Sequence, residues 1–185
     1  MVETLQSKTR VREPIIHSAL AGAMGWGLFG GLLATLIMDL VLIGSLSAVG
    51  MPALTCFSIV GDTVMHFLSM FGLAVAGGIP TGVAAHYLIG PLVGVTFGTA
   101  VARTNALRAN NLKGGMVLGI LYVQIVSQPI LATASILLKM TVPQTVQWFG
   151  ISFVMHVLCG AVLGAVVSHG LQPRRAPQPM GKRER

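Results

Sequence analysis

Apolar residues fill this chain in long uncharged runs, not in strict alternation, and the scattered charges mark where each run stops. One run covers residues 18–46 and is crossed by a single charge, Asp39. Others cover 82–102, between Pro80 and Arg103, and 114–138, between Lys113 and Lys139. The last covers 149–171, entered at Trp148, which suits an interfacial aromatic, and closed by Pro173, Arg174 and Arg175. An apolar stretch of about 20 residues is what a hydrocarbon core of roughly 30 Å requires. The pattern therefore predicts an all-α integral membrane protein with four transmembrane helices.

Residues 53–79 are apolar enough to compete for a fifth span. Their apolar positions Phe57, Val60, Val64, Phe67, Leu68 and Phe71 recur at three- and four-residue spacing, with Asp62 and His66 between them. That spacing predicts an amphipathic helix in the outer interface, or a re-entrant hairpin turning at Gly77 and Gly78. Asp62 and His66, four residues apart, would form a weak outer-surface pair.

Composition agrees with a membrane setting. Of 185 residues, 54% are apolar and 9% charged, where soluble domains carry about a quarter charged residues. The net charge of +7 is unevenly spread. Lys8, Arg10 and Arg12 precede the first run; Arg103, Arg108 and Lys113 share one loop; Arg174, Arg175, Lys182, Arg183 and Arg185 form a tail. The positive-inside rule puts all three blocks on the cytoplasmic side of the cell membrane, with both termini inside. A fifth span would place the 103–113 loop and the tail outside, which argues against it. The tail has no interleaved aromatics, so anionic lipid head groups suit it better than nucleic acid. Residues 1–17, with Glu3 and Glu13, are unlike the n-region of a cleavable signal, so the first helix reads as a retained anchor. Cys56 and Cys159 read as small core residues and not as a disulfide or a metal site.

An internal repeat organises the spans. His86-x3-Gly90-x3-Gly94-x3-Gly98 matches His156-x3-Gly160-x3-Gly164-x3-Ser168, and Gly27, Gly31 and Asp39 match Gly115, Gly119 and Ser127 more loosely. Two tandem two-helix units follow, over 18–102 and 114–171, flanked by a cytoplasmic segment 1–17, the basic loop 103–113 and the tail 172–185. A unit of two helices returns the chain to its starting side, so the copies share one orientation. Glycine every fourth residue lets helices approach closely among lipid tails. That assigns helix packing to Gly27, Gly31, Gly90, Gly94, Gly98, Gly160 and Gly164, with Gly22 in the same line.

The same topology sets Asp39, His86, His156 and Gln128 at similar depth in the outer leaflet, with Gln124 one turn deeper. An intramembrane carboxylate costs roughly 2.5–3.5 kcal/mol on insertion scales and points to a site. Three readings stand side by side. The cluster is a hydrogen-bond network that glues the bundle. Alternatively His86 and His156 ligate haem b or a transition metal, with Asp39 orienting one imidazole. Otherwise Asp39 and the histidines belong to a proton or ion path. Metal-protease, phosphate-loop and hydrolase-elbow motifs are missing, so no catalytic residue is assigned.

The glycines of the first span leading to Thr35 and Met38, the Gly50-Met51-Pro52 turn, the short amphipathic insert and the His86-x3-Gly90-x3-Gly94 helix resemble a family of small four-helix bacterial and archaeal membrane proteins. The resemblance covers most of 20–102 and implies the four-helix fold; the family carries no assigned activity. The resulting expectation is a non-enzymatic accessory or scaffold subunit that packs against other membrane subunits or itself.

Overall fold

The computed structural model describes residues 3–104, 107 and 111–172, with side chains from Leu20 onward. His17, the basic groups of residues 8–12, Arg108 and the tail from Pro173 lie outside the described side chains. Five helices account for nearly all of the described chain: α1 Glu3–Ala48, α2 Thr55–Ser69, α3 Gly78–Arg103, α4 Leu112–Leu137 and α5 Val142–Leu171. Four of them carry stretches long and apolar enough to cross a membrane, at Leu20–Ala48, Gly78–Arg103, Leu112–Leu137 and Val142–Leu171.

The helix ends have local chemical causes. Asn111 Oδ1 accepts a 2.7 Å hydrogen bond from Gly114 N–H and starts α4. Thr141 N–H donates to Gln144 Oε1 at 2.9 Å, and Pro143 occupies the first turn of α5. Those signals begin α5 seven residues before the expected 149, so Trp148 is not an entry residue. It is buried, and its indole N–H donates to Leu131 O at 3.2 Å, tying α5 to α4. Asp62 Oδ1 accepts from Gly78 N–H at 2.8 Å across 16 residues. A side chain of α2 thereby caps α3, and the carboxylate complements the positive end of that helix. Gly78 has φ +80, a left-handed conformation that favours glycine.

Close backbone approach joins the helices in pairs. A Cβ at Gly27 or Gly31 of α1 would strike the carbonyl oxygens of Gly94 or Gly90 of α3. On the other side, Gly119 and Gly160 lie backbone to backbone, as do Gly115 and Gly164, between α4 and α5. Gly98 packs on Ala23 and Gly27. Gly22 does not belong to this seam; its surroundings are open, and Ala23 takes the contact instead. α1 also packs on α5, where Gly30 meets Leu163 and Val166. The central core gathers Ala34, Phe97, Val101, Val123, Leu163 and Val167.

The α3 and α4 helices touch far less, and α2 packs against both of them. Gly61 of α2 sits on Gly78 and Phe57 sits on Gly82, so α2 runs antiparallel to the start of α3. The expected apolar stripe of this segment turns inward over its first half, where Phe57 is buried and Val60 and Val64 line an internal cavity, and outward over its second. Phe57, Gly61 and Thr63 are buried, whereas Phe67 and Phe71 are exposed. Glycine and threonine decide the packing face here because the closest helix contact selects small residues, which a hydropathy stripe does not report. The turn into α3 occupies residues 70–77 and not Gly77 and Gly78 alone.

Candidate functional site

Asp39 lies about two turns beyond Gly31, the last seam glycine of α1, and is buried, at 3% exposure. Its Oδ1 is 3.0 Å from His86 Nδ1 on α3. With the carboxylate ionised, the imidazole Nδ1–H is the donor. Asp39 Oδ2 has no hydrogen-bond partner among the described residues. The Tyr87 hydroxyl interacts with Asp39 electrostatically but stands outside hydrogen-bond geometry. Phe57 of α2 packs edge-on against the His86 ring, centroids 5.1 Å apart, and fixes its other side.

His156 on α5 has a different orienting partner. Its Nδ1 is 2.6 Å from Ser152 O, one turn earlier in the same helix. A carbonyl only accepts, so Nδ1 carries the proton and the neutral ring keeps Nε2 as a free lone pair. Both histidines thus share one design: Nδ1–H held by an oxygen, Nε2 unengaged.

The two rings line the same cavity, of about 170 Å3, at the place where α3 and α4 separate. All five helices contribute to its walls, which are mainly aliphatic. α2 closes one side with Cys56, Val60 and Thr63. Thr63 gives its hydroxyl proton to Ile59 O and Ser127 to Gln124 O, so both present acceptor oxygen. Both cysteines of the chain are free and both line the cavity. Burial, with the Asp39 charge adding to it, pushes the Cys56 thiol up to about 11.

Of the residues expected at one depth, the structure brings Asp39 to His86 and sets His86 and His156 on one cavity. It does not bring Gln128 to them. Gln128 Nε2 donates to Gln124 Oε1 at 3.1 Å, and Gln124 Nε2 donates to Phe153 O at 2.9 Å, a separate tie between α4 and α5. Asp62 is committed to Gly78, and His66 is exposed. Ser152, Ser127 and the two cysteines enter the site without having been singled out for it. A signal existed for Ser152, which stands one turn before His156 as Gly82 does before His86.

The fit of a porphyrin is poor. Pockets for ligands of that class run to roughly 300–1,000 Å3, and the glycines beside the histidines are already closed by helix contacts. Gly90 meets Thr35 and Gly31; Gly160 meets Gly119 and Ile120. Among the described residues no three His, Cys, Asp or Glu side chains converge on one point.

Fold and site together define the class: an all-helical chain with four helices fit to cross a membrane and an internal, histidine-lined cavity. The chain matches no family model, no curated protein and no solved structure.

Proposed function

We propose that this protein is a non-enzymatic four-span bundle of the cell membrane, made of two like-oriented two-helix units, that serves as an accessory or scaffold subunit packing against another membrane helix. The observation that carries the proposal is a surplus of glycine. Gly22, Gly25 and Gly44 of α1 and Gly150 of α5 are exposed in helices and meet nothing within 4 Å. Exposed helical glycine costs roughly 0.5–1 kcal/mol against alanine. Small residues on a membrane helix are repaid by close approach of another helix.

The two-unit construction rests on the glycine seams. Gly27 against Gly94 corresponds to Gly115 against Gly164, and Gly31 against Gly90 corresponds to Gly119 against Gly160. The counterpart of the α1–α5 contact would be α3–α4, and that is where α2 intervenes. α2 is therefore the insertion that distinguishes the first unit from the second. In this reading both termini and the 103–113 loop face the cytoplasm, and the basic tail meets anionic lipid.

Cross-linking tests the packing role. A Gly25→Cys variant in a cysteine-free background, given a short bifunctional maleimide in native membranes, should capture a neighbouring membrane helix or a second copy. Gly22→Leu should suppress the adduct without lowering the amount of folded protein. A variant that stays uncoupled in native membranes contradicts the scaffold reading.

A further inference from the structure

The gap between α3 and α4 has a built outline. At the end nearer residues 103–113 the Thr96 and Tyr122 hydroxyls meet at 2.7 Å, and the Phe97 and Tyr122 rings pack with centroids 5.0 Å apart. Tyr122, Val126 and Ile130 follow at four-residue spacing on one face of α4. Beyond the Tyr122 latch, Val126 and Ile130 of α4 and Ile89 and Val93 of α3 line the cavity. Ile130 does so while 45% exposed, so it stands at a mouth and not inside a sealed void. Val60 and Val64 of α2 line the opposite end. In a membrane such a mouth faces lipid, and a ligand reaches it from the bilayer.

The wall of the cavity is rich in acceptors. Thr63 gives its hydroxyl proton to Ile59 O at 2.7 Å, and Ser127 gives its own to Gln124 O at 3.3 Å. His156 gives Nδ1–H to Ser152 O, which leaves a lone pair on Nε2. That nitrogen has no partner among the described residues, and Asp39 Oδ2 is the only buried side-chain nitrogen or oxygen among them that lacks one. Nε2 of His156 is therefore open to space, and its ring lines the cavity. The hydroxyls of Thr35 and Ser152 serve as donor or acceptor. Among the described residues no Lys, Arg, Asp or Glu lines the cavity, so a charged ligand would find no counter-charge on the wall. A complementary ligand is neutral and brings its own O–H.

Size limits what carries that O–H. A cavity of about 150 Å3 with apolar walls holds benzene, and this one measures about 170 Å3. One six-membered ring fits, and several fused rings do not. A phenolic hydroxyl suits the wall better than an aliphatic one, because conjugation with the ring makes its hydrogen a stronger donor and its oxygen a weaker acceptor. Phenols also keep their proton at neutral pH, with a pKa of about 10. We propose that the cavity binds the ring of a membrane-dissolved phenol or hydroquinone, with its O–H donated to Nε2 of His156 and its hydrocarbon tail leaving between Ile89, Val93 and Ile130 into the lipid. This inference is independent of the scaffold reading, and neither stands or falls with the other.

The test titrates the full chain in detergent with tritiated para-decylphenol and counts the probe bound after the protein is separated from empty micelles. Binding should saturate at one equivalent. On the unaltered protein, unlabelled para-decylphenol and decylhydroquinone should displace the probe. Decylbenzene, which lacks the hydroxyl, and hexadecanol, which lacks the ring, should each need at least tenfold more. His156→Phe keeps a ring without the acceptor and should bind at least tenfold more weakly, and Ile130→Trp, at the mouth, should slow uptake. The competitor series decides the matter even where a variant fails to fold. Unsaturable uptake, displacement by decylbenzene or hexadecanol as ready as by the phenol, or undiminished affinity in folded His156→Phe would each overturn the proposal. Unslowed uptake in folded Ile130→Trp would overturn entry between α3 and α4.

Discussion

Gly94 shows how one missing Cβ sets a helix interface. A methyl there would run into Gly27 O and the Gly31 backbone, neither of which can rotate away as a side chain tip would. Gly94→Ala should therefore destabilise the bundle by about 1–3 kcal/mol, the usual range for overpacking, and lower its melting temperature in detergent. Gly22→Ala, made in open surroundings on the same seam's helix, should be neutral or slightly stabilising. Equal losses at both positions would contradict the assignment of the seam. Cys56 gives a pH-dependent readout at the same scale. Its thiol is held up at about 11, so the thiolate fraction is small at neutral pH and rises tenfold for each unit climbed towards 11. In a Cys159→Ser background, maleimide labelling of Cys56 should be very slow at pH 7 and accelerate steeply with pH. Labelling at pH 7 as fast as that of a free thiol would show the site to be open.

At the scale of elements, α2 has the most influence for its length. It caps α3 through Asp62, packs Phe57 on the His86 ring and closes the cavity. Asp62→Ala should cost about 1 kcal/mol, as other lost caps do. Because Gly78 N–H then lacks its partner, the loss should appear as faster amide exchange at the start of α3. An unchanged exchange profile would mean that the cap is dispensable. Sequence reading located the four long helices well, since hydropathy and flanking charge report length and ends directly. Of the glycines assigned to packing, Gly27, Gly31, Gly90, Gly94, Gly98, Gly160 and Gly164 lie in close helix contacts, whereas Gly22 does not, and Gly115 and Gly119, which also do, fall outside the assigned set. Sequence reading caught Phe57, Val60 and Val64 on the inner face of α2 but not Gly61 and Thr63, and it placed Trp148 at an entry instead of inside. Where every face of a helix is apolar, periodicity no longer says which face turns inward. The Asp39–His86 pair was legible from shared depth, whereas the Ser152 partner of His156 and the commitment of Gln128 to Gln124 depend on rotation about the helix axis.

On the scale of the whole molecule, the low charge content and the three basic blocks predict one arrangement: two like-oriented units, four spans, and an outer face carrying α2 and the turn between α4 and α5. The cavity then lies in the outer half of the bundle, within reach of that face. The orientation is the claim on which the depth of the site, the place of α2 and the role of the basic blocks all depend. Single cysteines at Asn111 and Thr141, in a Cys56→Ser, Cys159→Ser background, test it with a membrane-impermeant maleimide on intact cells. Thr141→Cys should label in intact cells, and Asn111→Cys only after permeabilisation. Labelling of Asn111→Cys from outside, or of both positions from the same side, would contradict the four-span account.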